Sequence, residues 1–267
     1  MYKNILFLLV FWALCAMGMA QNHELVIVHT NDTHSQIEPY TAGPDSNVGG
    51  ALRREAYVRE LRAEHPELLL LDAGDFSQGT PFFNVFKGYT EIKLMNAMHY
   101  DACALGNHEF DFGSQALAKR LRSAHFPALC ANYSFKNKAL SKVVKDYVVI
   151  KRDGLKIGLF GLLIDLQPLV MGSVYSELVY LDPIAAAQKQ VEALKAEGCD
   201  LIICLSHLGI TSEKINDFIL AERVPGIDLI IGGHSHSEMA QPKMVGNTRV
   251  YQMAGKGKCV GEITVKY

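Results

Sequence analysis

The chain has 267 residues, 49% hydrophobic and 20% charged, with a formal net charge of −2. These values describe one large globular domain and exclude a disordered chain. The near-neutral balance leaves no basic footprint for nucleic acid or anionic lipid.

The first twenty residues read as a cleaved secretory signal. Lys3 gives a short positive region, Ile5 to Leu14 an apolar one, and Gly18-Met19-Ala20 small residues at −3 and −1 before Gln21. The apolar stretch is short for a membrane span, and bulky Leu14 before Cys15 argues against a lipid anchor. Cleavage leaves 25 basic and 28 acidic side chains, a net of −3. The domain expectation is therefore a signal at 1–20 and one domain at 21–267, exported to a periplasm or secreted, with no membrane association after cleavage.

From there, short apolar runs alternate with helical patterns. Strands are expected at Leu25–Val28, Leu68–Leu71 and Ala102–Leu105. Further strands follow at Tyr147–Ile150, Leu155–Leu163, Leu201–Leu205, Ile227–Ile231, Val250–Gln252 and Ile263–Val265. Uninterrupted apolar runs of this length mark strands buried on both faces. Helices are expected at Ala51–Glu64, carried by Leu52, Ala56, Val58 and Leu61, at Ser114–Ser123, and at Pro183–Glu197. In the last, Asp182 is the N-cap, Pro183 fits the first helical position and Gly198 the stop. The segment from Asp165 to Tyr180 reads as a plain loop, with a contribution of Tyr175 and Tyr180 to the substrate rim as the alternative. Five cysteines remain after cleavage, and the absence of CxxC argues against a thiolate metal site. Cys130 and Cys204 read as small core hydrophobes.

Polar motifs follow where several of these runs end: Asp32-Thr33-His34, Gly74-Asp75, Gly106-Asn107-His108-Glu109-Phe110-Asp111, Ser206-His207 and Gly232-Gly233-His234-Ser235-His236. Ligand sites of α/β sheets lie at the carboxyl ends of strands. Asp32-x-His34 and His234-x-His236 place two donors at i and i+2. Together the motifs supply carboxylate, amide and imidazole donors for two metal ions, with a separate His/Asp pair for proton transfer. Oxygen and imidazole donors suit Zn, Mn, Fe or Co and do not choose among them.

These motifs resemble the metallophosphoesterase (calcineurin-like) superfamily, and within it the 5′-nucleotidase family. The resemblance runs through His29-Thr30-Asn31-Asp32-x-His34, Gly74-Asp75-x-x-Gln78-Gly79-Thr80, Gly106 to Gly113, Leu205-Ser206-His207-x-Gly209 and Val224 to His236, in family order over residues 24–267. It implies a four-layer α/β/β/α sandwich, two mixed sheets flanked by helices, with a dimetal site at the strand ends. It implies that Asp32, His34, Asp75 and His236 hold one ion, and that Asp75, Asn107, His207 and His234 hold the other. Two divalent ions and two carboxylates leave a formal charge of about +2 for an arriving phosphate dianion. His108, paired with Asp111, is implied as the acid that serves the leaving oxygen. Glu109 reads as a supporting residue, and His29, Gln78 and Asn132 as candidates for the same role. His23, His65, His99 and His125 read as surface or core histidines.

The function expected is an exported phosphomonoesterase acting on nucleoside 5′-monophosphates or related esters, by in-line attack of metal-bound hydroxide. Its partner is a small phosphate ester, with no nucleic acid. Nucleotidases of this type usually continue into a second, nucleotide-binding domain. No such domain is expected after the last strand of the metal domain, so base recognition is expected to be loose or to come from a separate chain. The rival readings are a phosphodiesterase or pyrophosphohydrolase on cyclic nucleotides or nucleotide sugars, a metal-binding subunit that needs a partner chain for activity, and a dizinc amide hydrolase.

Overall fold

The structure is a computed structural model that describes residues 24–211 and 214–267. The expected signal segment and His23 lie outside the described residues. Two sheets pack face to face. The first has the strand order β16-β1-β4-β5-β6-β8. Its members are β1 (Glu24–Thr30), β4 (Leu69–Asp72), β5 (Ala102–Ala104), β6 (Ala128–Leu129), β8 (Val144–Lys145) and β16 (Gly261–Lys266). Only β16, at the edge, runs antiparallel to its neighbour. The second has the order β14-β15-β13-β12-β10-β9. It comprises β9 (Tyr147–Arg152), β10 (Leu155–Leu163), β12 (Leu201–His207), β13 (Leu229–Gly232), β14 (Lys243–Val245) and β15 (Thr248–Gln252). Both edge strands are antiparallel and the interior is parallel.

Strand alternation sorts the apolar runs into three layers. Leu25 and Ile27 face the second sheet, where they meet Leu159, Ile203 and Ile231 in the core between the sheets. Val26 and Val28 face the other way, beneath α1 (Ala51–Glu64), α3 (Tyr89–Ala97) and α4 (Gly113–Leu121). On the far side Phe160, Ile202, Cys204 and Ile230 are covered by α6 (Pro183–Ala196) and α7 (Asp217–Arg223). The result is the α/β/β/α sandwich. Cys103, Cys130 and Cys204 are buried, and all five cysteines among the described residues are free thiols.

The expected strands and helices are present, with shifts of a few residues at some ends. The Asp182 side chain caps α6 by accepting from Ala185 N at 2.9 Å, and Gly198 follows its end at φ 73°. The phase of α1 differs from expectation. Leu52 is 78% exposed, and the buried face is Ala51 and Val58. This helix is anchored by few large residues, so its apolar spacing read ambiguously. Several short elements lie outside the sequence reading: the hairpin of β2 (Tyr40–Ala42) and β3 (Asp45–Val48), α2 (Pro81–Phe86), α3 and α7. Residues 165–180 are not a plain loop. They hold α5 (Gly172–Tyr175) and β11 (Leu178–Tyr180), which pairs with β7 (Tyr133–Phe135). Tyr175 and Tyr180 pack against the helix-covered core rather than lining the site.

Candidate metal centre

The carboxyl ends of β1, β4 and β5 in one sheet meet those of β12 and β13 in the other. The chain leaves each strand through a tight turn. Asp32, His34, Asp75, His234 and His236 have φ of 48°, 46°, 55°, 71° and 49°. Non-glycine residues rarely adopt this left-handed region, and clustering there marks a constrained functional site. Hydrogen bonds between the turns hold it: Asp32 N to Gly74 O at 2.9 Å, His34 N to Asp75 O at 3.0 Å and Lys256 N to Asp32 O at 2.6 Å. The packing leaves no room for side chains at two glycines. A Cβ on Gly74 or on Gly233 would fall 2.8 Å from His207 Nδ1.

Within this frame all seven expected donors converge. Asp75 Oδ2 lies 3.2 Å from His207 Nε2 and 4.0 Å from His34 Nε2. Asp32 Oδ1 lies 3.4 Å from His236 Nε2 and 4.0 Å from His34 Nε2. The Nε2 atoms of His34 and His236 are 2.9 Å apart, and His234 Nδ1 is 3.1 Å from Asn107 Oδ1. Three overlapping sets form: Asp32 with His34 and His236, His34 with Asp75 and His108, and Asp75 with His207 and His234. Asp75 belongs to two of them. Asp32, His34, Asp75, Asn107 and His207 are buried, while His234 and His236 reach the surface.

His108 also comes close to His34 and Asp75, so proximity alone admits it as a donor. Its Nδ1, however, faces the Asp111 carboxylate at 3.1 and 3.2 Å. The hydrogen bond to Asp111 raises its pKa against the opposing effect of burial. Such a pair fixes the imidazole tautomer and directs Nε2 outward. Backbone N–H groups hold the two carboxylates. Asp32 accepts His234 N at 3.0 Å, and Asp75 Oδ1 accepts His108 N at 2.8 Å.

Glu109 is the support for two of the turns. Its fully buried carboxylate accepts Asp75 N at 2.9 Å, Ser77 N at 3.0 Å and Gly106 N at 2.6 Å. It therefore ties the Asp75 turn to the Asn107 turn. Asn132 instead brackets the Leu163 backbone, accepting its N–H and donating to its carbonyl. His29 is buried with neither ring nitrogen partnered, so it supports no donor directly. His65, His99 and His125 do not line the pocket, which measures about 370 Å³. Gln78 does line it, as does Lys256, which the sequence reading passed over. The signal was present in the cationic glycine run Gly255-Lys256-Gly257-Lys258.

The profile of calcineurin-like phosphoesterases matches residues 25–238. The chain belongs to the calcineurin-like phosphoesterase family. It is 37% identical over 237 residues to the snake venom 5′-nucleotidase of Crotalus adamanteus, a match covering 85% of this chain and 39% of that protein. It is 38% identical over 224 residues to a human 5′-nucleotidase, covering 80% and 38%. A solved 5′-nucleotidase precursor from Thermus thermophilus superposes with a TM-score of 0.83 at 35% identity, covering 91% of this chain and 51% of that one. The chain thus spans about two fifths of the length of these curated relatives and about half of the solved one.

The pocket has the electrostatics of a cation site. Burial tends to raise the Asp75 carboxyl, but His207, His34 and His108 outweigh it and hold the group well below the usual range. Burial likewise opposes charge on His207, yet Asp75 and Asp32 push it up to about 10. Burial and the neighbouring His207 bring His234 down to about 4. The donors fit divalent ions by a direct observation. His207 Nδ1 donates to Ala73 O at 2.7 Å, which fixes the ring and turns Nε2 toward Asp75 Oδ2 at 3.2 Å, where a divalent ion would take the place of a proton. His34 Nδ1 sits 3.3 Å from Ser77 O, which turns its Nε2 lone pair toward His236 in the same way. Imidazoles fixed through one nitrogen with the other aimed at carboxylates are the usual setting of a metal-ligating histidine.

Proposed function

We propose that the chain is a phosphomonoesterase of 5′-nucleotidase type, acting on nucleoside 5′-monophosphates or related esters. Asp32, His34, Asp75 and His236 would hold one divalent ion, and Asp75, Asn107, His207 and His234 a second. The observation that carries this reading is the place of Asp75 Oδ2 between the two donor groups, 3.2 Å from His207 Nε2 and 4.0 Å from His34 Nε2. Zn, Mn, Fe or Co suit the oxygen and nitrogen donors. When bound, a pair of such ions supplies Lewis acidity and a water of low pKa for attack on phosphorus.

The chain's own residues do the rest. Glu109 fixes the spacing of the Asp75 and Asn107 turns. Asp111 accepts from His108 Nδ1 and so orients the ring with Nε2 toward the pocket, where the protonated imidazole would serve the departing alcohol oxygen. The hydrogen bond to Asp111 raises the His108 pKa, which favours the protonated form. No Ser or Cys stands among the pocket-lining residues, so the reading needs no covalent intermediate.

Export to a periplasm or beyond the cell is part of the proposal. The signal-like residues 1–20 and the venom origin of one relative support it. Among the described residues no helix is long and apolar enough to cross a membrane. The test is phosphate release from nucleoside monophosphates, nucleoside diphosphates, cyclic nucleotides and sugar phosphates, each with Mn²⁺, Zn²⁺, Co²⁺ or Mg²⁺. Monophosphates are expected to lead. A preference for cyclic nucleotides or nucleotide sugars would establish the diesterase or pyrophosphohydrolase reading instead. No release with any metal would leave a metal-binding subunit.

A further inference from the structure

The residues lining the metal pocket are almost all accounted for as donors or as the His108 dyad. Gln78, Gly79 and Lys256 remain. Lys256 is the only lysine or arginine in that lining, and no ion pair or side-chain hydrogen bond engages it among the described residues. Its neighbour Lys258 differs, reaching Asp45 at 3.5 Å and Glu238 at 3.6 Å. Lys256 is not a stray surface cation. Its segment is stitched to the first ligand turn by three hydrogen bonds: Lys256 N to Asp32 O at 2.6 Å, Met253 N to Asn31 Oδ1 at 2.9 Å and Asn31 Nδ2 to Met253 O at 2.7 Å. The same Asn31 amide holds Asp32 Oδ2 at 2.7 Å. Gly255 presses on the imidazole of His236, where a Cβ would lie 2.9 Å from Nδ1. Lys256 itself takes φ 60°, a left-handed conformation that a lysine adopts only where its surroundings impose it.

We propose that Lys256 is a specificity-determining residue, which meets the phosphoryl oxygens of the substrate and biases the site toward phosphomonoester dianions over phosphodiester monoanions. The inference rests on the phosphomonoesterase reading above. The backbone of Lys256 is fixed to the Asp32 turn, while its side chain is long and free. The cation therefore stays at the pocket wall and can follow an incoming phosphate. An ammonium facing a dianion gains more than one facing a monoanion, since Coulomb energy scales with the product of charges. The contact is made in the ground state as well as later, so its loss falls on KM more than on kcat.

The test compares wild type, Lys256→Met and Lys256→Arg with nitrophenyl phosphate, with bis-nitrophenyl phosphate as substrate or inhibitor, and with inorganic phosphate as inhibitor. Bound metal is measured in each. In Lys256→Met, the KM for the monoester and the Ki for phosphate are expected to rise about ten- to a hundredfold, the worth of one hydrogen bond to a charged group. The diester constant should change much less, kcat should hold within about threefold, and metal content should not move. Lys256→Arg should restore most of the phosphate binding. Unchanged KM and Ki in Lys256→Met, or equal losses for monoester and diester, would overturn the assignment of Lys256 alone. A wild-type protein that neither cleaves the monoester nor binds phosphate would overturn the underlying reading with it.

Discussion

At the scale of single residues, the site separates groups that hold charge from groups that move protons. The proposed function puts His108 in the second kind, since its Nδ1 faces Asp111 at 3.1 Å and Asp75 accepts its backbone N–H. His108→Ala is expected to keep bound metal and lose turnover by about 10²–10⁴-fold, the usual worth of a positioned acid. The loss should shrink for nitrophenyl phosphate, whose leaving group needs little protonation. Loss of metal on this substitution would instead make His108 a ligand, as its closeness to His34 and Asp75 allows.

At the scale of elements, the strand-end turns act as a unit because a buried carboxylate joins two of them. Glu109→Gln replaces one acceptor oxygen of three N–H bonds by an NH₂ group that opposes a backbone donor. Leaving a buried donor unmatched costs about 1–3 kcal/mol, which lowers the melting temperature of a chain of this size by about 2–10 °C. Calorimetry of the metal-free variant should show that drop, and titration should show weaker metal binding. Unchanged melting and metal affinity would mean that the three bonds do not organise the turns. The residues that cluster at the strand ends were legible in the sequence because each motif follows a continuous apolar run, as with Leu201–Leu205 before His207. The role of Glu109 showed only as a support, since its three partners are backbone atoms that a side-chain pattern does not record. Helix α3 escaped notice because a buried charge, Glu91, interrupts its apolar face of Ile92 and Met95. Helix α7 has seven residues, too few to show a period, although Asn216 caps it with two hydrogen bonds of 3.0 Å. The phase of α1 was misread because Leu52 looks like core and points to water.

At the scale of the whole molecule, two sheets bury their facing sides and bring their carboxyl ends together, and this arrangement has a pH signature. His29 sits in β1 opposite Gly261 of β16 and edge-on to Tyr251 at 6.2 Å. It is fully buried and unpartnered, and burial takes its pKa down to about 4. A lowered folded pKa gives stability that is present above the unfolded value near 6.5 and is lost as pH falls toward 4. The shift corresponds to about 3 kcal/mol. In chelator, the difference between wild type and His29→Leu in urea unfolding should therefore change by about that amount between pH 7 and pH 4, wild type losing more. Parallel losses in both proteins would mean that His29 gains a proton acceptor or water in solution.

One carboxylate serving two ions is the centre of the proposed site, and the number of ions held per chain tests it most directly. Metal analysis after gel filtration should find two divalent ions in wild type. In Asp75→Asn both the metal content and the phosphate release should collapse, since the shared position fails for both ions at once. Two tightly held ions and near-normal turnover in Asp75→Asn would contradict the bridging role and, with it, the two-metal site.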